Sequence, residues 1–432
     1  MLRMLRQSYN QVNHCDEMKF KNVSSVVRNK MCCGCGVCED VCPVKSITIS
    51  MCNGRLTPIV DNEKCLGEKC TRCLKVCSGL GVNFSDFKVN KDVDFFYDKY
   101  IGRYLGLYAG YSSDFQQRLH SASGGVVSQF LIYLLSKKII NGAVVTGFGD
   151  DRITPLSYIA RSPQEVSQAR SSKYCPVSLN KLGNEIVNSG GKYVIVGLPC
   201  HIQSFRKRSI IDRKFRENVV GYFSLYCSSG RTFYGRDYLL RKFAVSPQDV
   251  TYFSYRDNGC LGNMTIKQKD NTKELSIPFT KYYGPILRSF FKPHRCLTCI
   301  DHYGELSDVS FGDIHTPPYS EDKTGISSWI VRNPFWNEMF LKAREEGVLV
   351  FNEIETDILN KSQSAMLYPK QRLANAIMQI DRLFGYRTPV YDVSLEKTHF
   401  KDYLNALNYH FQRFLGRHKS LWGLIDFINI NK

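Results

Sequence analysis

Cysteine residues near the start of the chain have spacings that suit iron ligation. The 432 residues contain seventeen cysteines, and ten of them lie between Cys32 and Cys77. The first run has the spacing Cys-x2-Cys-x2-Cys-x3-Cys-Pro, in which three thiolates surround one cubane and the fourth binds a different cluster. A second run of four cysteines ends at Cys77. Crossed ligation predicts two four-iron clusters, with the ligand sets Cys32, Cys35, Cys38 and Cys77, and Cys42, Cys65, Cys70 and Cys73.

The second run departs from the usual pattern at two points. The gap between Cys65 and Cys70 is two residues longer than usual, and Ser78 stands where proline is expected. A loop at residues 66–69 can absorb the extra length. A perturbed or three-iron cluster remains an alternative.

Paired zinc sites are the alternative interpretation of these cysteines. Zinc ribbons bring two Cys-x2-Cys knuckles together across a dozen or more residues, whereas here three ligands follow one another closely, twice. We therefore predict a ferredoxin-type module with two [4Fe-4S] clusters at residues 23–85. Cys15, Cys33 and Cys52 are surplus to it, and Cys33 is interpreted as a packed thiol.

Four of the remaining six cysteines stand out. Cys200 and Cys227 each follow a predicted strand, and Cys296 and Cys299 form a knuckle. Two thiols at strand ends and a knuckle can form one metal site in the folded chain. Scattered buried cysteines are an equal alternative on spacing alone.

Beyond a linker predicted at residues 86–108, apolar runs of strand length alternate with helical patterns. This alternation predicts an α/β domain with a mixed sheet, including a hairpin between Met264 and Phe279 that turns at Asp270 and Asn271. Residues 356–432 are predicted to form a helical extension. Its end, Phe400 to Ile430, suits either an interfacial amphipathic helix or, as we favour, a helix docked on its own domain.

Composition limits the class of protein. The hydrophobic fraction of 43% excludes a disordered chain, and neither a secretory leader nor an apolar run of spanning length is visible. We therefore predict a cytoplasmic protein whose cysteines bind metal in a reducing compartment. The net charge of +18 would fall to roughly +12 with three clusters bound. It indicates an anionic ligand rather than nucleic acid, for which there is no motif.

Several motifs of the larger domain resemble one known family, the beta subunit of coenzyme F420 hydrogenase and dehydrogenase. The resemblance covers most of the chain, with an N-terminal part at residues 100–185 and a C-terminal part at 186–355. The motifs that carry it are Ser121 to Val126, Ser172 to Tyr174, Val196 to Cys200, Leu225 to Cys227, Cys296 to Asp301, and Ser307 to Asp313 followed by Gly325.

The resemblance implies a third [4Fe-4S] cluster and a noncovalent FAD. The third cluster would be held by Cys200, Cys227, Cys296 and Cys299, and the FAD by Ser123, Gly124, Gly125, Ser172, Lys173 and Tyr174. Glycines at a helix start let backbone amides approach a diphosphate. Without the family, an ordinary helix N-terminus capped by Ser123 would be favoured.

The resemblance also suggests catalytic residues. Lys173 is expected near the flavin, where a cation stabilises reduced, anionic flavin. Asp313 and His315 are candidates for the isoalloxazine neighbourhood, and a buried turn carboxylate and a surface histidine are the alternatives. Cys175 stands where the family suggests an aliphatic residue and is interpreted as a packing variant. His201 replaces a glutamine and is expected to change hydrogen bonding to the cluster sulfurs.

The predicted function is that of an iron-sulfur flavoprotein oxidoreductase. Electrons would pass from the ferredoxin-type clusters through the third cluster to FAD, which exchanges a hydride with an anionic substrate. In archaeal relatives that substrate is the deazaflavin coenzyme, and in bacteria the resemblance suggests a sugar in polysaccharide biosynthesis. A redox partner is expected, either ferredoxin or a hydrogenase or dehydrogenase subunit, together with peripheral membrane contact through the C-terminal helix. One rival is an electron-transfer subunit without a substrate of its own, and another is a structural zinc or membrane-surface protein.

Overall fold

A computed structural model describes residues 20–87, 93–269 and 271–430. Cys15, Asp270 and residues 88–92 of the predicted linker lie outside these ranges. The cysteine-rich segment contains an antiparallel hairpin, Ile47–Cys52 with Arg55–Val60. Asn53 and Gly54 join its strands, with φ angles of 50° and 68°. Two left-handed residues suit the right-handed twist of a tight hairpin. The short helices of this segment are Val23–Arg28, Val37–Asp40 and Arg72–Lys75.

An eight-stranded mixed sheet forms the centre of the larger domain, as the sequence predicts. The fourth to seventh strands across the sheet are parallel, and the others run antiparallel to their neighbours. Parallel strands end at the same edge, so side chains that follow them in sequence meet there. The order is Leu349–Glu353, Gly106–Ser112, Ser327–Val331, Val309–Asp313, Val219–Leu225, Tyr193–Gly197, Gly142–Phe148 and Pro155–Ala160.

Aromatic side chains fill the core between this sheet and its helices. The rings of Phe130 and Phe340 stack with centroids 3.8 Å apart, and Trp329 and Trp336 are buried beside them. Burying each such ring stabilises the folded state by about 1.5–3 kcal/mol. This core therefore holds the strands of the large sheet, and the residues at its edge, in place. The helices of this part are Phe115–Leu119, Val126–Ser136, Pro163–Gln168, Leu182–Ser189, Pro199–Ile211, Arg213–Asn218, Phe233–Lys242 and Pro334–Glu345.

A separate three-stranded antiparallel sheet follows, and it contains the predicted hairpin. Its strands are Val250–Asp257, Asn263–Gln268 and Asn271–Pro278. Tyr255 and Met264 of this sheet share a core with Leu415, Trp422 and Ile425 from the end of the chain. The C-terminal extension is therefore packed against its own chain.

The remaining elements are mostly short or helical, as predicted for the extension. No helix among the described residues is both long and apolar enough to cross a membrane. Short helical segments precede the extension at Phe279–Tyr282, Tyr283–Leu287, Arg288–Phe290 and His294–Leu297. The extension contains Thr356–Tyr368, a π-helical turn at Pro369–Leu373, Ala374–Leu383, Phe400–Arg417 and Trp422–Ile430.

The predicted linker is wrong at its end. Phe96–Asp98 pairs with Gly102–Tyr104, and Gly106–Ser112 is a strand inside the large sheet. Tyr108 is buried there, with its ring 5.6 Å from that of Trp329. The strand was missed because its aromatic and glycine residues follow a charged stretch without a turn signal between them.

Candidate metal centres and flavin site

The first predicted cysteine quartet lines one cavity. Its empty volume is about 350 Å³, and valine side chains form much of the remaining wall. Gly34 and Gly36 have φ angles of 77° and 85°, so the loop between the cysteines turns where side chains would be strained. Burial raises the pKa of Cys77 to about 11, so a bound cation would be needed to keep this sulfur as a thiolate. The residues of this quartet are Cys32, Cys35, Cys38 and Cys77.

The second predicted quartet is also brought together. Burial, followed by the charges of Cys70, Cys65 and Cys42, raises the pKa of Cys73. The backbone N–H of Ser46 donates to the Cys42 sulfur at 3.2 Å. Such N–H donation stabilises a cysteinate ligand.

The two departures in the second run have structural outcomes. Residues 67–69 form a single 3-10 turn between Cys65 and Cys70, which accommodates the longer gap. Ser78 is fully buried, and its N–H donates to the Ser204 hydroxyl at 3.2 Å. Proline has no N–H, so serine at this position permits a contact with the larger domain.

The four cysteines proposed for a third site line a second cavity. Its empty volume is about 860 Å³, including space open to solvent. Cys200 lies in the first turn of the helix Pro199–Ile211, and Cys227 follows the strand Val219–Leu225. These two elements place both sulfurs at the same sheet edge. The full quartet is Cys200, Cys227, Cys296 and Cys299.

Three buried cations line the same cavity. Lys370 donates from Nζ to the Cys299 sulfur at 3.2 Å, and the side chains of Arg231 and Arg295 face the cavity. Among the described residues, Nε of both arginines and Nη1 of Arg295 have no hydrogen-bond partner. Unpartnered buried donors are costly unless an acceptor or anion is present. The donor set therefore fits an anionic iron-sulfur cluster.

Within the described ranges, no three His, Cys, Asp or Glu side chains are close enough to hold a single metal ion. The cysteines line cavities instead, and a cubane binds its thiolates at corners that are further apart than the ligands of one ion.

Cys33 lies between the two cavities. It lines both of them, as Cys32 does, and its sulfur is 3.3 Å from the Ser78 hydroxyl. The sequence interprets Cys33 as a packed thiol, and this stays a prediction for a side chain that is partly buried. The position shows in addition that the cysteine-rich segment forms part of the wall of the third site.

The hydrogen bond expected between His201 and a cluster sulfur is absent among the described residues. Nδ1 of His201 accepts from the backbone N–H of Leu198, and its Nε2 lies 3.2 Å from the carbonyl oxygen of Val177. Burial lowers the pKa of His201, which suits a neutral ring that donates to Val177. Cys175 is buried with its sulfur 2.9 Å from the Tyr255 hydroxyl, and it also lines the second cavity.

The predicted diphosphate site lies where the helix Val126–Ser136 begins. Gly125 has a φ of 74°, and no side chain among the described residues caps this helix. Ser123 donates instead to the carbonyl oxygen of Ile326 at 2.7 Å. A side chain at Gly124 would lie 2.5 Å from the carbonyl oxygen of Gly110, so packing alone requires glycine there.

A polar group beside these glycines also lacks a partner. Nε2 of buried Gln117 has no hydrogen-bond acceptor among the described residues. Its backbone carbonyl is 3.1 Å from the position that a side chain on Gly125 would occupy. An uncapped helix start and an unpartnered donor fit an acceptor-rich ligand such as a diphosphate.

Lys173 is partly buried, and its ammonium group donates to backbone oxygens. It donates to the carbonyls of Ala169 and Arg170, both at 2.6 Å, and to that of Ser171 at 3.1 Å. Burial lowers its pKa to about 7. Lys173 thus fixes the loop that carries Ser172 and Tyr174, and its role at a flavin stays a prediction.

Arg256 connects two of the predicted flavin motifs. Its Nη1 donates to Oδ2 of Asp313 at 2.6 Å, and its charge lowers the pKa of nearby Tyr174, which burial raises more strongly. His315 is partly exposed, with its Nε2 4.0 Å from Oδ2 of Asp313. Sequence reasoning missed Arg256 because it ends a strand without a motif of its own. The only available signal was a lone arginine in an apolar strand.

Comparisons with known proteins place this site in a family. The family model for the N-terminal part of the coenzyme F420 hydrogenase/dehydrogenase beta subunit matches residues 107–183, and the model for the carboxyl-terminal part of the same protein matches residues 190–357. Together they cover more than half of the sequence. The chain belongs to the coenzyme F420 hydrogenase/dehydrogenase beta-subunit family, which confirms the resemblance seen in its motifs.

Individual relatives are distant. The coenzyme F420-dependent sulfite reductase of Methanocaldococcus jannaschii is 26% identical over 72% of this chain, which spans 45% of that relative's length. The coenzyme F420 hydrogenase subunit beta of Methanosarcina barkeri is 22% identical over 68% of this chain and 98% of its own. Both names are those of oxidoreductases or their subunits.

One solved structure shares the fold. It is a chain of the F420-reducing [NiFe] hydrogenase complex from Methanosarcina barkeri, with a TM-score of 0.54 and 19% identity. The match covers 68% of this chain and 98% of the other. This likeness supports the mixed α/β architecture.

Proposed function

We propose that the chain is an iron-sulfur flavoprotein oxidoreductase that holds three [4Fe-4S] clusters and one FAD. The observation that carries this proposal is the third quartet, in which four cysteines from separate elements line one cavity with three buried cations. When bound, the clusters would supply one-electron transfer and the FAD would supply hydride chemistry. The reducing cytoplasm suits such thiolate sites.

The chain's own residues would hold and orient these groups. Lys370, Arg231 and Arg295 would balance the negative charge of a cluster on the third quartet. The backbone amides after Gly124 and Gly125 would bind a diphosphate, and Arg256 holds Asp313 in one orientation by a 2.6 Å ion pair. We propose that Asp313, His315 and the loop around Lys173 and Tyr174 border the isoalloxazine ring.

The proposed substrate is an anionic organic molecule. The net charge of +18 favours association with anions. Two relatives are named for coenzyme F420, which supports a deazaflavin as substrate. A sugar or its nucleotide conjugate, reduced during polysaccharide biosynthesis, is the bacterial counterpart that we propose.

A redox partner protein is also proposed. The solved relative belongs to a hydrogenase complex, which supports docking to a hydrogenase or dehydrogenase subunit, with ferredoxin as the other candidate. The same observation favours a second candidate function, an electron-transfer subunit that passes electrons to a catalytic partner and has no substrate of its own.

Cofactor content is the first test. The protein is purified anaerobically, and iron, sulfide, zinc and released flavin are quantified against protein. We expect about twelve irons and one FAD per chain. About eight irons without flavin would contradict the assignment of the larger domain, and zinc in place of iron would contradict the iron-sulfur proposal as a whole.

Hydride exchange then separates the enzyme from the electron-transfer subunit. The holoprotein is incubated with deazaflavin coenzyme or nucleotide sugars and a chemical reductant, and substrate reduction is followed optically. Reduction that is lost in Asp313→Asn, with FAD still bound, supports an enzyme with its own substrate. Rapid cluster reduction without turnover of any of these substrates supports the subunit role.

A further inference from the structure

One face of the helix Phe400–Arg417 is apolar and exposed. Its side chains are spaced four, three, four and three residues apart, which aligns them along one side of a helix. Their exposed fractions range from 51% to 77%. We call this set the apolar ridge, and it consists of Phe400, Leu404, Leu407, Phe411 and Phe414.

The opposite face already attaches the helix to the rest of the chain. Asp402 is buried and accepts from the Tyr368 hydroxyl at 2.8 Å and from Arg372 at 3.1 Å. Arg413 donates from Nε to the carbonyl oxygen of Lys292 at 2.9 Å. The apolar ridge is therefore not needed to hold the helix, and a folded monomer leaves it in water.

The next helix extends the exposed apolar surface. Leu424 and Phe427 are 50% and 67% exposed, whereas Trp422 and Ile425 of the same helix are buried in the domain core. Consecutive helices are thus anchored on one side and apolar on the other. Such a combination marks an interaction surface.

The charges around the ridge are positive. Lys401 and Arg417 are exposed on the ridge helix, whereas Lys419, which follows it, pairs with Asp237 at 3.7 Å. Among the described residues of the two helices, the acidic side chains are both engaged. Asp402 is bound as above, and Asp426 pairs with Arg241 and Lys242.

We propose that the apolar ridge docks on the surface of an anionic lipid bilayer. Phenylalanine and leucine between lysine and arginine suit a helix that lies in the plane of the interface, with its ring and methyl groups below the headgroups. A second copy of the chain fits less well. In an antiparallel pair of ridges, Lys401 of one chain would lie beside Arg417 of the other. In a parallel pair, each cation would lie beside the same residue of the other chain, so like charges would repel in both arrangements. The proposal is independent of the redox function.

Vesicle sedimentation with the purified holoprotein tests this surface. The probes are vesicles of phosphatidylcholine alone and vesicles that contain phosphatidylglycerol. We expect binding to the anionic vesicles that weakens with salt. Leu407→Glu and Phe411→Glu should each reduce partitioning about tenfold or more. Leu156→Glu, at a side chain that is 55% exposed on the sheet edge, is the matched control and should bind as wild type.

Each other outcome overturns the proposal. Equal binding of the wild type to uncharged vesicles would show that the cations beside the ridge do not contribute to lipid binding. Absence of lipid binding, together with a dimer in light scattering that Phe411→Glu dissociates, would assign the ridge to a second copy. A monomer that binds neither vesicle would leave the ridge to an acidic partner protein. Iron content, measured on the same samples, reports separately on the redox proposal.

Discussion

The two N-terminal quartets and the third quartet differ in how their cysteines come together. The first two occupy runs of eleven and thirteen residues, Cys32 to Cys42 and Cys65 to Cys77, wrapped around one hairpin. The third draws on Cys200, Cys227 and a knuckle at Cys296 that only the large sheet brings close. Cysteines within one local run can be brought together by a flexible loop. The cysteines of the third quartet come together only when the edge of the large sheet has formed.

The surroundings of the cavities differ as well. Valines and other apolar residues line the first cavity, and three buried cations line the second, which holds the third quartet. Nearby positive charge stabilises the more negative, reduced state of a cluster. We therefore expect the midpoint potential at the third site to be higher than at the first.

Removing a ligand from the third quartet should have the largest effect. In Cys200→Ala, iron is expected to fall from about twelve to about eight per chain, because one cubane loses its site. Iron analysis and electron paramagnetic resonance of the reduced protein measure this. Cys175→Ala is the matched control, since Cys175 lines the same cavity but lies outside the quartet. Loss of iron in the control would make Cys175 a ligand.

Replacing Lys370 should shift a potential without removing a cluster. In Lys370→Met, the charged hydrogen bond to Cys299 is lost, and one midpoint potential should fall by on the order of 100 mV. A redox titration followed by electron paramagnetic resonance measures this potential. Lys370→Arg keeps the positive charge, so its potential should lie close to that of the wild type. Lys342→Met is the control, because the ammonium group of Lys342 pairs with Glu338 at 2.6 Å on an exposed helix face. An unchanged set of potentials in Lys370→Met would contradict the difference between the cavities.

Disrupting the contact at Ser78 tests how the two regions are joined. Ser78→Pro removes the N–H that Ser204 accepts and should destabilise the chain by about 1–3 kcal/mol. Thermal unfolding of the holoprotein measures this. Ser78→Ala keeps the N–H and loses only the hydroxyl near Cys33, so its midpoint should fall much less. Equal midpoints for both variants would show that the backbone contact is unimportant.

The smallest expected effect is that of replacing two glycines. Gly54→Ala and Gly67→Ala each place alanine at a positive φ, at a cost of about 1–2 kcal/mol. A side chain at Gly54 would also meet the Tyr234 ring of the larger domain at 3.0 Å, whereas at Gly67 it would meet nothing within 4 Å. Gly54→Ala should therefore lower the unfolding midpoint slightly more. The reverse order would mean that the hairpin is not held against Tyr234.

The sequence predicted the fold where periodicity is local. The strands Gly142–Phe148 and Tyr193–Gly197 coincide with apolar runs between turn signals, and such runs leave little choice of structure. The strand Gly106–Ser112 was missed because its partners lie more than 200 residues away in sequence, at Ser327–Val331 and Leu349–Glu353. Pairing over such a distance leaves no local pattern.

The candidate sites, like the strands, were predictable where the pattern is local and not where it depends on distant residues. The spacing of the N-terminal cysteines defines their grouping before any fold is known. Arg256 and Lys370 carry no motif, and only the fold places one against Asp313 and the other against Cys299. Lys370 also lies beyond residue 357, where the family model ends, so the resemblance could not reveal it.

The wall that the first and second cavities share at Cys32 and Cys33 has a consequence for durability. If oxygen destroyed a cluster held beside this wall, the loop that carries it would lose its support and the third site would become more open to water and oxidants. Damage would then spread inwards from the N-terminal segment. Exchanging that segment for another ferredoxin would likewise remove part of the wall of the third site in the larger domain.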